Sequence, residues 1–265
     1  MHVKAFSFLS HSYWLQVLSV ISNSVGLKEY NVMFNLSNPF VGQDSPSISI
    51  SLYEKRASSY AFIMSTAVTK GRGNSAPLLI AGFEAQSIGA SNTNAGAQNQ
   101  ITVTLSTRTT LPKGSQITIT GFSGATAVMM LPLSDVQTST ALCGPAGCAS
   151  LFSNNATGLQ GYGLWDNTKK SVLLVLLNDS SIFNFTFSFQ LTNPSYGQQA
   201  PSLSIAVTGA QNITISTMVS NGTLKVIVIQ IKNIGQSTPS VSAKNTITVS
   251  LALSTTFGEQ QQLPK

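Results

Sequence analysis

The chain has 265 residues, 42% of them hydrophobic, enough for one or two domains with a sizeable core. Only 8% are charged, against an ordinary share of about 25%. The net charge of +6 comes from fourteen scattered Lys and Arg with no basic stripe, which argues against nucleic acid, and no apolar run approaches the roughly 20 residues of a membrane-spanning helix.

The polar surface must instead be built from Ser, Thr, Asn and Gln. Such a surface repels copies of itself only weakly. It needs attached sugar to stay in solution, or it belongs in an assembly.

In chain order, the first stretch is "MHVKAFSFLSHSYWLQVLSVI". It has the hydropathy of a leader, but its apolar residues recur later in the chain, so it is expected to be the counterpart of an internal strand. Short alternating runs follow: "SISISLY" at 47–53, "PLLIAGF" at 77–83, "QITVTLS" at 100–106 and "SQITITGF" at 115–122. Residues 132–158, rich in Ser, Thr, Ala and Gly, read as a linker. It holds "CGPAGC", where the Gly-Pro and Gly turn residues allow Cys143 and Cys148 the Cα separation of roughly 4.4–6.8 Å that a disulfide needs. A disulfide there fits an oxidising, extracellular setting. Next comes "GYGLWDNTKK", with Tyr162 and Trp165. Then follow "SVLLVLL" at 171–177, "FNFTFSFQL" at 183–191, "PSLSIAVT" at 201–208, "LKVIVIQI" at 224–231 and "NTITVSLAL" at 245–253.

The chain says much of this twice. At an offset of 155 residues, 17–51 meets 172–206 without a gap: Asn23 meets Asn178, Phe34 meets Phe189, and Asn38-Pro39 meets Asn193-Pro194. At an offset of 146, Leu78 meets Leu224, Asn99 meets Asn245, and "ITVTL" meets "ITVSL". Two registers in the same order indicate tandem homologous units. Short strands with one polar face indicate antiparallel sheets. The expectation is therefore an all-β protein: two tandem Ig-like antiparallel β-sandwich domains, at 1–131 and 159–265, joined by the linker at 132–158. Leu263-Pro264-Lys265 matches Leu111-Pro112-Lys113, so the second domain is expected to lack the strand that follows in the first. Either the chain is a segment of a longer array, or a neighbouring molecule donates that strand.

Six Asn-x-Ser/Thr sequons occur, at Asn35, Asn155, Asn178, Asn184, Asn212 and Asn221. In 183–191 the period-two pattern turns Phe183, Phe185, Phe187, Phe189 and Leu191 inward. It turns Asn184, Thr186, Ser188 and Gln190 outward, which leaves Asn184 open to a glycan.

"NQITVTLSTRTTLPKGSQITITGFSGA" at 99–125 and "FQLTNPSYGQQAPSLSI" at 189–205 resemble a module of large repetitive extracellular proteins of algae and other protists. With the Trp165 region the resemblance covers most of the chain. It implies a secreted or surface role in tandem array and carries over no catalytic residue.

Eight acidic residues are scattered and form no close pair, and His2 and His11 are the chain's two histidines. No triad, metal cluster or phosphate-binding loop is indicated, so neither an enzyme nor a cofactor is expected. Trp165 and its counterpart Trp14 recur in both copies, which favours packing. The alternative use of Trp165, with Tyr162 beside it, is as a sugar-stacking platform. The expected function is a structural, glycosylated, extracellular or cell-surface repeat protein. It would assemble with copies of itself into a fibre or layer, with a carbohydrate-binding or adhesive module as the alternative.

Overall fold

The computed structural model describes residues 6–8, 13–15, 35–55, 59–67, 69, 76–137, 139–155, 158–180 and 184–254. Their regular structure is nearly all β, and they divide into two units, Met1–Gly82 with Arg108–Thr110, and Phe83–Thr107 with Leu111–Lys265.

The first unit holds an antiparallel sheet of β1 (Phe6–Phe8), β2 (Tyr13–Leu15), β3 (Ile48–Lys55) and β4 (Tyr60–Ala67), in the order β2-β1-β3-β4. Beside it, Gln43 and Ile80 exchange backbone hydrogen bonds of 3.1 and 2.9 Å. Gly42 and Gly82 make this clip possible, since a Cβ on Gly42 would lie 2.5 Å from the Gly82 Cα. Arg108 closes the unit through a 2.7 Å ion pair with Asp44.

The second unit begins with β5 (Phe83–Ala90), β6 (Gln98–Thr107), β7 (Ser115–Thr120) and β8 (Met130–Asp135). A short helix α1 (Ser139–Cys143), a 3-10 turn (Ala149–Leu151) and β9 (Phe152–Ser153) come next. Then follow β10 (Tyr162–Asp166), β11 (Ser171–Leu176), β12 (Asn184–Thr192), β13 (Ser204–Gly209), β14 (Ile213–Thr217) and β15 (Val219–Ser220). These strands form one sheet in the order β14-β13-β7-β11-β10-β8-β12-β6-β5-β15, with β9 on β11. A separate hairpin, β16 (Ile229–Gln236) and β17 (Ile247–Leu253), ends the described chain.

The large sheet folds over at β8. Met130, Leu131 and Pro132 pair with β10, whereas Leu133, Ser134 and Asp135 pair with β12. One strand thus serves two layers, and Pro132 sits where it changes over. At the other side Gln86 Nε2 on β5 donates to Ser216 Oγ on β14 at 2.8 Å, so the sheet nearly closes on itself. Aromatic rings fill the space between. Phe122 meets Trp165 and Phe189 edge-on at 5.8 and 6.0 Å, and Phe152 lies 5.8 and 5.3 Å from Phe185 and Phe187.

All-β is therefore correct, but the two sequence copies do not each close on themselves. β12, from the second copy, pairs with β6, from the first, along nine residues. β7, from the first, lies between β11 and β13, from the second. The expected boundary at 131/132 falls inside β8. The reason is that a repeat fixes a period and not the point at which the folded unit starts. Residues 132–158, expected as a linker, supply β8, α1 and β9, and Phe152 within them is fully buried. The Leu263-Pro264-Lys265 match, from which a missing strand in the second copy was expected, lies outside the described residues, as does Phe183.

The outward positions of β12 differ from the simple alternation too. Asn184 and Gln190 are exposed, but Thr186 and Ser188 are buried. The turn after α1 reaches Thr186, whose N–H donates to Cys148 Sγ at 3.4 Å, while Ser188 is enclosed by the neighbouring strands, its Oγ accepting from Gln100 Nε2 on β6 at 3.0 Å and donating to the Ser134 carbonyl on β8 at 3.3 Å. The Cys143–Cys148 disulfide is formed, with a Cα separation of 5.0 Å. Gly147, at φ +72°, is needed because a Cβ there would strike the Asp135 carboxylate, whose Oδ1 accepts the Ala149 N–H at 2.9 Å.

Cys143→Ala combined with Cys148→Ala frees this turn. Unfolding free energy is expected to fall by about 2 kcal/mol, as a short closed loop implies. Urea unfolding of the double variant against the oxidised parent measures it.

Candidate self-association surface

The β16–β17 hairpin repeats the β5–β6 hairpin at the 146-residue offset, and it repeats the turn atom by atom. In the first turn Asn99 Oδ1 accepts from Ser91 N, Ser91 Oγ and Asn92 N at 2.9, 3.1 and 3.2 Å, and Gln100 N donates to Ser91 Oγ at 2.9 Å. In the second, Asn245 Oδ1 accepts from Ser237 N, Ser237 Oγ and Thr238 N at 3.1, 3.2 and 3.2 Å, and Thr246 N donates to Ser237 Oγ at 2.8 Å. The preceding turns match as well. Leu78 and Leu224 share φ near +60°, and their carbonyls accept Gln43 Nε2 and Gln198 Nε2 at 2.9 and 3.0 Å.

What differs is the cover. Along β6, Ile101, Val103 and Leu105 are 0, 0 and 1% exposed, because β12 and the opposite layer sit on them. Their counterparts on β17, Ile247, Val249 and Leu251, are 55, 58 and 65% exposed. Ile88 on β5 is 3% exposed and Ile234 on β16 is 71%. β17 pairs with β16 alone among the described residues. The amide follows the same division. Asn99 Nδ2 donates to Asn193 Oδ1 at 2.8 Å, and Asn193 Nδ2 donates to Asn92 Oδ1 at 3.1 Å and the Asn94 carbonyl at 2.9 Å. Asn245 Nδ2 turns back to Gln236 Oε1 at 2.9 Å. The hairpin thus presents an apolar face and an open strand edge, features that native sheets otherwise cover or blunt. Burying these side chains is worth roughly 1.5–3 kcal/mol each.

The other site residues are placed as follows. Trp165 is 2% exposed, packed on Phe122, with Nε1 donating to Asn167 Oδ1 at 3.1 Å. It is a core residue, as its recurrence favoured. Tyr162 lies three positions earlier on β10, so its side chain points to the opposite face and the two rings do not form one platform. In the turn after Trp165, the Asp166 carboxyl is held below its ordinary pKa, first by the Lys169 backbone N–H, with Thr168 N–H and the Lys169 charge adding to it against desolvation.

Asn35, Asn155, Asn178, Asn184, Asn212 and Asn221 are all exposed. Asn178, Asn184 and Asn212 gather at one end of the sheet, where β11 and β13 finish and β12 starts; there Gly114 N donates to the Leu176 carbonyl, and Gly209 pairs with Ser115. The β16–β17 hairpin leaves from the other end, where Gln198 and Val226 exchange backbone bonds after β12.

Two features were not read from the sequence. Asn193, which the sequence shows as half of a repeated Asn-Pro pair, is 3% exposed and organises the turn beside it. A groove of about 530 Å³ runs over Gln98, Gln100, Ser188, Gln190, Thr192 and Thr126. Its signal, amides and hydroxyls alternating with apolar residues, becomes meaningful only when β6 and β12 are known to be neighbours. No cluster of His, Cys, Asp and Glu suited to a metal occurs among the described residues, and none of the helices in them is long and apolar enough to cross a membrane.

No protein-family model matches the chain. No curated protein matches it either. Among solved structures, a DUF4466 family protein from Parabacteroides merdae is similar at a TM-score of 0.31 and 12% identity, over 62% of this chain and 55% of that one. A likeness that distant carries no argument about fold or function.

Asn99→Ala removes the acceptor of the Asn92 N–H and leaves the buried Asn193 Oδ1 and the Asn92 carbonyl without the Asn99 Nδ2 donor. Unfolding free energy is expected to fall by about 2–4 kcal/mol. Asn245→Ala, on the exposed hairpin, is expected to change it by less than about 0.5 kcal/mol. Urea unfolding followed by Trp165 emission, in a Trp14→Phe background, compares the two.

Proposed function

We propose that this protein is a structural, glycosylated repeat protein of the extracellular space or cell surface, which assembles with copies of itself into a fibre or layer. The observation that carries the reading is the uncovered β16–β17 hairpin, whose covered twin lies in the same chain. The exposed sequon asparagines support a glycan coat, which would supply the solubility that a surface of 8% charged residues lacks. The disulfide suits an oxidising compartment. The tandem Ig-like description belongs here in modified form: the folded unit is a sandwich assembled from the later part of one copy and the earlier part of the next.

Electron microscopy and intact-mass analysis of native material test the reading. Regular fibres or sheets, with mass above the 27.9 kDa of the polypeptide, are expected. Unglycosylated particles that stay monomeric at high concentration would sink it.

A second reading, binding of a neutral sugar, is favoured by the groove of amides and hydroxyls between β6 and β12. Gln100→Ala with Gln190→Ala is expected to abolish binding on a glycan array without altering the fold, if this reading holds. An array with no hits would remove it.

A further inference from the structure

Resting on the self-assembly reading, the geometry points to one occupant of the exposed hairpin: a second copy of this chain, through its segment 29–38. The covered hairpin shows what the uncovered one accepts. β12 runs antiparallel to β6 with Phe185 opposite Leu105, Phe187 opposite Val103, Phe189 opposite Ile101 and Leu191 opposite Asn99. The 155-residue offset carries β12 onto 29–37, and the 146-residue offset carries the β6 ladder onto β17 and the two or three residues before it. The same register then sets Tyr30 against Leu251, Val32 against Val249, Phe34 against Ile247 and Leu36 against Asn245.

The first three pairs keep their apolar character and the fourth keeps its Leu opposite Asn, and the ladder offers β17 the backbone partners that β12 gives β6. Asn38 is the counterpart of Asn193. In the incoming segment its amide would reach Asn245 as Asn193 reaches Asn99, and it would draw Asn245 Nδ2 away from Gln236. The order of elements identifies the source of the segment. In the folded sandwich the hairpin comes first and the covering strand follows. That order is reproduced between the hairpin of one copy and the segment of the next. The contact joins two different surfaces, so it propagates from copy to copy and does not stop at a dimer.

The full chain provides the test, through a register-specific crosslink. Two single variants, Val32→Cys and Val249→Cys, are mixed under mild oxidation and analysed by non-reducing electrophoresis and mass spectrometry. A heterodimer joined through those two positions is expected. A control mixture of Val32→Cys with Ser250→Cys, one residue out of register and on the opposite face, is expected to give at least tenfold less. In parallel, Val249→Lys with Leu251→Lys should remove concentration-dependent oligomers in sedimentation velocity. Both positions are exposed, so circular dichroism should be unchanged.

Crosslinking within single chains carrying both cysteines, at dilutions where mixed singles give no heterodimer, would overturn the second copy as occupant. Equal yields from the matched and control mixtures would overturn the register. Fibres that persist in the Lys double variant would overturn this contact while leaving the structural role standing. A parent chain that never oligomerises and is unglycosylated in native material would remove both.

Discussion

Every strand has two edges of backbone donors and acceptors, and the fold follows from where those edges find partners. The decisive pairing is β6 with β12, a nine-residue antiparallel ladder between strands more than seventy residues apart in sequence. It seats Phe185, Phe187 and Phe189 over Phe122 and Phe152, and so places the aromatic core. It also brings Asn99 to Asn193, so that the buried Asn193 Oδ1 accepts from Asn99 Nδ2 at 2.8 Å. Once it is formed, β8 has an edge to join on β12, and the rest of β8 can pass to β10 and start the second layer.

The strands with one clean face were legible in the sequence. Period-two alternation marked β3, β6, β7, β12 and β13, and the 146-residue offset matched the segments that fold as twin hairpins, without showing that they pair. The disulfide and the core tryptophan followed from turn residues and from recurrence. What alternation could not show is a strand divided between two partners. β8 carries Pro132 and β10 carries Gly163, both poor strand signals, and their pairing depends on a fold-over that local patterning does not encode. "PLLIAGF" and the first half of "LKVIVIQI" read as strands but lie in the clipped turns around Leu78 and Leu224, where the left-handed backbone ends any ladder. The phase of the folded unit was invisible for a different reason. Sliding a sequence along itself returns the same match wherever the unit begins.

The candidate surface was half legible. The residues of β17 were known to correspond to those of β6, so their apolar face was expected. Their exposure was not, because burial belongs to the partner strand and not to the hairpin. The groove over Gln98 and Gln190 was hidden in the same way, since it exists only across a long-range pairing.

The twin hairpins separate two contributions that are usually entangled. Their turns share one set of hydrogen bonds although one is buried and the other open, so the turn is fixed by Ser, Asn and the backbone next to them. The cover is fixed by whatever brings a strand of alternating large apolar residues ending in Asn-Pro. A folded unit whose layers are drawn from consecutive copies therefore ties each copy to its neighbour. Neither contributes a complete core alone, and the open hairpin holds its turn without a covering strand among the described residues. Because that shape is set locally, covering the hairpin in the proposed assembly would order few further residues of the hairpin itself. In the proposed assembly, with few charges to oppose contact between copies, the apolar face and the ladder edge would decide where copies meet.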